Sequence, residues 1–226
     1  MKTSFISLVI CFYSLTTNQL QAQSVQLEKS KILPVQVDMS VIKMEGKATV
    51  RVVKDAAVKA FDQPTFARIN PINFKNGVIE VKVLSRLLKN APDFARGFIG
   101  IAFRINADDS KFECIYIRPT NSQADDQVRR NHTVQYFSFP DFSFERLRKE
   151  SPEKYETRAD VSLNQWTKLR IEVAGKQARL FINNSKTSSF IVNDLKLGPE
   201  ASGAIGLWVD VGTEGFFKEL KIYPGN

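Results

Sequence analysis

Hydrophobic residues alternate with polar or small ones along five stretches of the chain. In GVIEVKVL, Ile79, Val81 and Val83 point one way while Val78, Glu80, Lys82 and Leu84 point the other. In GFIGIAFR, Ile99, Ile101 and Phe103 oppose Gly100, Ala102 and Arg104. In WTKLRIEV, Leu169, Ile171 and Val173 oppose Trp166, Lys168, Arg170 and Glu172, and ARLFIN follows after the turn-forming AGKQ. In GAIGLWVDV, Ile205, Leu207, Val209 and Val211 oppose Gly206, Trp208 and Asp210. A period of two is the signature of half-buried β-strands. Many short strands separated by Gly, Asn, Asp and Pro predict an all-β fold, a two-sheet antiparallel jelly-roll sandwich. The expected inter-sheet core is Ile99, Ile101, Phe103, Leu169, Ile171, Val173, Ile205, Leu207 and Val209. Residues 142–155, rich in Arg, Glu and Lys and interrupted by Pro152, read as a long loop with a helical turn. Arg146-Leu147-Arg148-Lys149, flanked by Glu145 and Glu150, reads as a solvated charged face.

The same parity selects residues that face away from the core. They are Arg104, Tyr116, Arg118, Trp208 and Asp210. Between two strand-like ends, the segment FECIYIRPTNSQADDQVRRNHTVQYFSFP adds Asn121, Asp125, Asp126, Arg129, Arg130, His132 and Gln135. Aromatic rings stack on the apolar face of a pyranose, and Arg, Asn, Asp and Gln match its hydroxyls. This set predicts a glycan groove on the outer face of one sheet, with the polar segment as its rim. Asp125, Asp126, Arg129 and Arg130 can also form salt bridges that only fix a loop, and such exposed pairs contribute little.

GFIGIAFR, FECIYIR, WTKLRIEVAGKQARLFINN and GAIGLWVDVGTEGFFKELKIYP follow one another in an order that resembles concanavalin A-like lectin/glucanase sandwiches. The last two blocks are similar both to laminin-G-like domains and to the 3-keto-disaccharide hydrolase domain family. The resemblance runs from about Gly77 to Pro224. It implies a concanavalin A-like sandwich that binds or processes carbohydrate, or, as an alternative, a laminin-G-like adhesion module with a protein partner. It also implies a role for Glu113, which stands where the hydrolase family often carries a glutamate. The E-x-D-x-x-E strand motif of laminarinase-type glucanases is absent from the sequence.

Glu113 shares its side of the strand with Ile115 and Ile117, so it is expected to be buried. A buried carboxyl can serve as a general acid or as the partner of a buried arginine. Conventional glycoside hydrolysis needs two carboxyl groups, and Asp125, Asp126 and Asp210 are candidates for the second. Elimination from a keto-sugar needs one base, one acid and polar groups around the keto oxygen, roles open to His132, Tyr116 and Arg118. His132 is the chain's only imidazole, so Glu113 and His132 are the catalytic candidates. A lone histidine cannot build a zinc site. No cofactor is expected; a structural calcium held by oxygens near Asp108-Asp109 or Asp125-Asp126 stays open, without a spaced calcium-loop pattern to mark it.

The formal charge of +8 is spread over strands and loops, which disfavours nucleic acid and favours an oligo- or polysaccharide partner of negative charge. The start MKTSFISLVICFYSLTTNQLQAQS has the charge, apolar run and small residue of a secretory signal peptide, and the run is too short to span a bilayer. Domain organisation is therefore a signal peptide over residues 1–22 and a single domain over 23–226, exported to the periplasm or the exterior. Loss of Cys11 with the signal leaves Cys114 without an intrachain partner, as a buried strand residue. Mass spectrometry of the mature protein is expected to find Gln23 as its first residue; an intact Met1 would contradict export by this route.

Overall fold

The structure, a computed structural model, describes residues 23–225; the expected signal peptide lies outside them. Its strands in chain order are β1 (Gln23–Ser24), β2 (Ile32–Val35), β3 (Val37–Met44), β4 (Lys47–Lys54), β5 (Phe66–Phe74), β6 (Gly77–Leu87), β7 (Ile99–Ile105), β8 (Phe112–Ile117), β9 (Val134–Phe139), β10 (Glu156–Thr157), β11 (Thr167–Ala174), β12 (Gln177–Ile182), β13 (Phe190–Val192), β14 (Gly203–Val209) and β15 (Thr213–Pro224). Three short α-helices, α1 (Pro119–Ser122), α2 (Gln127–Asn131) and α3 (Phe144–Glu150), sit in the connections, and a 3-10 turn covers Lys29–Lys31. All pairings are antiparallel. One sheet runs β13-β12-β11-β6-β15-β4-β3, with β1 added to β15, and the other runs β10-β9-β8-β7-β14-β5-β2. This is the jelly-roll sandwich that the alternation predicts.

All nine expected core residues are buried. The register explains why. Ile101 faces Ile115 on one side and Leu207 on the other, and Ile99 faces Ile117 and Val209. In the opposing sheet Ile171 lies between Ile79 and Leu180. The inner faces of the two sheets meet closely enough that a Cβ on Gly215 of β15 would come within 2.5 Å of Val209.

Two departures from the sequence reading bear on the site. The 142–155 segment is not a loop with a single turn; it holds α3, capped by the Ser143 hydroxyl, which accepts from the Arg146 amide. Arg104 does not share the outer face with Ala102. Residues 102–105 oppose only 204–206 of β14, so β7 carries an extra residue there, and Arg104 takes the left-handed backbone conformation, φ 55°. The bulge turns its side chain to the end of the sandwich, where it donates to the carbonyls of Lys75, Gly175 and Gly198.

Ile171→Ala should lower stability by about 2–5 kcal/mol, read as a lower urea midpoint at unchanged denaturant slope. A change below about 0.5 kcal/mol would mean that Ile171 is not packed between the sheets.

Candidate functional site

The outer face of the β7-β8-β9-β14 sheet is lined with aromatic rings. Gly100 of β7 lies between Tyr116 of β8 and Trp208 of β14. A side chain there would collide with the Tyr116 backbone at 2.5 Å. Its absence lets the two rings meet across the strand, with centroids 4.8 Å apart, and Phe137 packs on both. Residues 55–64 close over part of this layer. Trp208 donates from Nε1 to the Gln63 carbonyl, 2.9 Å, and is fully buried.

Beside this cover a pocket of about 270 Å³ stays open. Tyr116, Arg118 and Phe98 come from β8 and the approach to β7. Asp62 and Phe61 come from the covering loop, and Asp210 from the end of β14. Asn121, Arg129 and His132 come from the α1–α2 segment, Phe144 and Arg148 from α3, and Phe94 and Arg96 from the β6–β7 connection. Phe61 and Phe94 meet edge to face at the rim, 5.8 Å apart, and are 37% and 52% exposed.

Two carboxyl groups meet at the base. Asp210 is ion-paired with Lys54 at 2.5 Å, and both side chains are almost fully buried. Its second oxygen accepts from the Asp62 amide, 3.1 Å. Asp62 is itself buried, in the left-handed conformation at φ 54°, a backbone state that aspartate tolerates better than most residues. Its Oδ2 accepts from the Phe144 amide at 2.6 Å, while Oδ1 has no hydrogen bond among the described residues. Burial raises the Asp62 pKa to about 7, with the Asp210 charge adding to it, while the Phe144 amide and Arg118 oppose the rise.

On the opposite wall, His132 Nε2 lies 3.2 Å from Glu156 Oε1. Arg148 grips the same carboxylate with two nitrogens, at 3.1 and 2.7 Å. Burial lowers the His132 pKa; Arg148 and Arg118 lower it further, and Glu156 opposes them. Arg118 donates to the Tyr116 hydroxyl at 2.5 Å and to the His132 carbonyl at 3.2 Å, and its guanidinium lies near the rings of Phe98, Tyr116 and Phe144. Burial raises the Tyr116 pKa well above its usual value, against the pull of Arg118.

Of the residues singled out in the sequence, the pocket brings together Tyr116, Arg118, Asn121, Arg129, His132 and Asp210. Trp208 stands one layer below, behind Tyr116. Glu113 is fully buried inside the sandwich, where it accepts from the Tyr136 hydroxyl and the Leu197 amide; burial raises its pKa. Gln135 is also buried and donates to the Tyr136 and Tyr155 carbonyls. Asp126 caps α2, accepting from the Val128 and Arg129 amides. Arg130 ties down the loop through the carbonyls of Ala124 and Asp125, and Asp125 is exposed. Asp108 accepts from Ser110, and Asp109 pairs with Arg68.

Asp62, Lys54, Arg96, Arg148 and Glu156 were not legible as site residues. Arg148 alternates along α3 with the exposed Arg146–Glu150 pair, so a charged run conceals one inward member. For Asp62 the only sequence signal is an acid between Phe61 and Gln63-Pro64 in an inter-strand loop.

Residues 40–223 match the family model of the 3-keto-alpha-glucoside-1,2-lyase-like domain. Among solved structures the chain is similar to the carbohydrate binding module CBM66 from Bacillus subtilis, with 11% identity over 84% of this chain and 96% of that one, TM-score 0.52. It is similar to a protein of unknown function with a galectin-like fold from Bacillus subtilis, with 11% identity, 83% and 87% covered and TM-score 0.51. A structure described as a native glycosidic hydrolase shares 13% identity over 93% and 99%, TM-score 0.50. At these identities the likeness is one of fold. No curated protein matches the sequence.

The buried Asp62 carboxyl has a consequence for stability. The folded chain keeps this proton up to about pH 7, whereas an unfolded aspartate loses it near 3.9. The unfolded state therefore gains on the folded one as pH rises through that window, and stability falls. Asp62→Asn removes the titration and keeps an acceptor for the Phe144 amide. Urea unfolding should show the variant gaining on the wild type by a few kcal/mol at most between pH 4 and pH 8. An equal difference at both pH values would contradict a buried, proton-holding Asp62.

Proposed function

The chain belongs to the 3-keto-alpha-glucoside-1,2-lyase-like domain family, and we propose that it acts on a keto-glycoside in this pocket by general acid–base elimination. The observation that carries the reading is the pairing of two proton-transfer groups of opposite character across one pocket. The carboxyl of Asp62 holds its proton to about pH 7, and the imidazole of His132 is kept neutral by burial and by neighbouring guanidiniums. Groups whose environments set their proton affinities in this way are the usual acid and base of an active site.

Each residue has a task in that reaction. In the neutral tautomer that carries its proton on Nε2, the nitrogen 3.2 Å from Glu156 Oε1, His132 keeps a lone pair on Nδ1. It takes the proton from C2, which the C3 carbonyl acidifies. Electron density then moves onto the carbonyl oxygen, where the Arg118 guanidinium and the Tyr116 hydroxyl supply positive charge and a hydrogen bond. The C1–O bond breaks as C1 and C2 become doubly bonded, and Asp62 protonates the departing oxygen. Asp210, held by Lys54, keeps the Asp62 proton in place. The volume of about 270 Å³ fits a single sugar ring, and Phe61, Phe94 and Phe144 offer apolar walls for its C–H face. The signal-peptide layout of residues 1–22 supports action outside the cytoplasm, and among the described residues no helix is long and apolar enough to cross a membrane.

Incubation with an aryl 3-keto-glucoside should release the aryl alcohol together with a 2-hydroxy-3-keto-glycal, one water lighter than the hydrolysis product. His132→Ala and Asp62→Asn should each lower kcat by about 10²-fold or more. The pH profile should be bell-shaped. Its acid limb lies below the ordinary histidine range, set by His132, and its alkaline limb near 7, set by Asp62. Binding without product would make the pocket a recognition site only, and release of the aryl alcohol with a C2 deuterium label retained in the sugar would replace elimination with hydrolysis.

A further inference from the structure

The elimination uses Arg118 only at the carbonyl oxygen and leaves two further positive charges of the pocket, Arg96 and Arg129, without a task. Elsewhere several guanidiniums are matched with carboxylates, Arg51 with Asp38 and Glu214, Arg68 with Asp109, and Arg170 and Arg179 with Glu172, while Arg104 and Arg130 are held by backbone carbonyls. Among the arginines that line the pocket, only Arg148 has a carboxylate partner. Arg96 donates to the backbone carbonyls of Asp93 and Ala95, at 2.5 and 2.9 Å. Arg118 donates to the Tyr116 hydroxyl and the His132 carbonyl. Arg129 donates from Nε to the Asn121 side-chain oxygen, 3.2 Å. Every one of these acceptors is neutral, and none of the three arginines has an ion-pair partner among the described residues.

The nearby acids do not cancel this charge. Asp210 is taken by Lys54 and Glu156 by Arg148, while Asp62 keeps its proton through the acidic range. The three guanidiniums also feel one another. Burial lowers the proton affinity of Arg96, Arg129 and then Arg118 lower it further, and Asp93 opposes them more weakly. Bringing like charges together in a half-buried pocket costs free energy. Holding them by carbonyls, a hydroxyl and an amide fixes their geometry without neutralising them. A guanidinium fixed in this way presents its remaining N–H groups as a fork that matches an oxyanion.

We propose that the ligand of this pocket carries an oxyanion, such as a carboxylate or sulfate, seated by Arg96, Arg118 and Arg129, so that the substrates are acidic glycosides. This rests on the reading of the pocket as a glycoside site. The charge can be on the sugar, as in a uronic acid, or on the leaving group, and both present the same chemistry to the arginines.

Four 3-keto substrates decide the matter: a phenyl glucoside, the matching phenyl glucuronide, a carboxyphenyl glucoside and a sulfophenyl glucoside. At low salt, at least one acidic substrate should exceed the neutral one in kcat/KM by about 10- to 100-fold. The advantage should shrink with added salt. The glucuronide locates the charge on the sugar, and the substituted phenyl glucosides locate it on the leaving group. Arg96→Gln and Arg129→Gln should reduce the ratio of acidic to neutral kcat/KM. Equal kcat/KM for all four substrates in the wild type, insensitive to salt, would overturn the proposal while leaving the elimination intact. If none is turned over, the reading of the reaction fails and binding alone decides the anion site. Calorimetric titration with the non-keto phenyl glucuronide, the two charged phenyl glucosides and the neutral phenyl glucoside should then show tighter binding of an acidic ligand, lost in the Arg96→Gln/Arg129→Gln double variant. Equal binding of the four, or none, would overturn it.

Discussion

The buried ion pair between Lys54 and Asp210 is the constraint on which the site depends. Lys54 closes β4 in one sheet and Asp210 follows β14 in the other, so the pair ties the two layers together at the pocket end. Lys54 also donates to the Ala60 carbonyl, 2.6 Å, and Asp210 accepts from the Asp62 amide. One desolvated pair thus fixes the loop that carries Asp62 and sets the field in which its carboxyl sits. Burying two charges is costly unless their remaining hydrogen-bonding capacity is filled. Here it is filled by the backbone of the loop whose position matters to the site.

Around that anchor the sandwich carries two apolar layers of different purpose. The inner one, between the sheets, is the aliphatic core that stabilises the fold. The outer one, built of Trp208, Tyr116, Phe137 and Phe112, packs ring on ring over the outer face and reaches the site through Tyr116. Tyr116 belongs to both worlds: its ring packs on Trp208 while its hydroxyl meets Arg118. A rigid layer of this kind holds polar groups to a fixed geometry, which electrostatic catalysis requires.

The fold was legible because strand alternation is a local property. Ile99, Ile101 and Phe103 declare their face within one segment, and Leu169, Ile171 and Val173 do the same. Parity failed where the backbone broke its period: the extra residue at Arg104 sends that side chain to the end of the sandwich. It was incomplete at Trp208, whose outward direction was readable but whose cover, the loop around Gln63, was not. Tyr116, Arg118, His132 and Asp210 could be named from parity and from the polar segment. Asp62 could not, because its role comes from burial and from contacts with Asp210 and Phe144, which are distant in sequence. Arg148 is hidden for a similar reason: its partner Glu156 lies beyond the end of α3, and the charged run 146–149 has the pattern of a solvated face.

The central claim is that Asp62 is a carboxyl kept protonated by its burial against Asp210, and it can be measured without substrate. The side-chain carboxyl carbon of Asp62, followed by NMR from pH 3 to 9 and assigned by its loss in Asp62→Asn, should titrate with a midpoint near 7. A midpoint near 3.9, the ordinary aspartate value, would contradict the account.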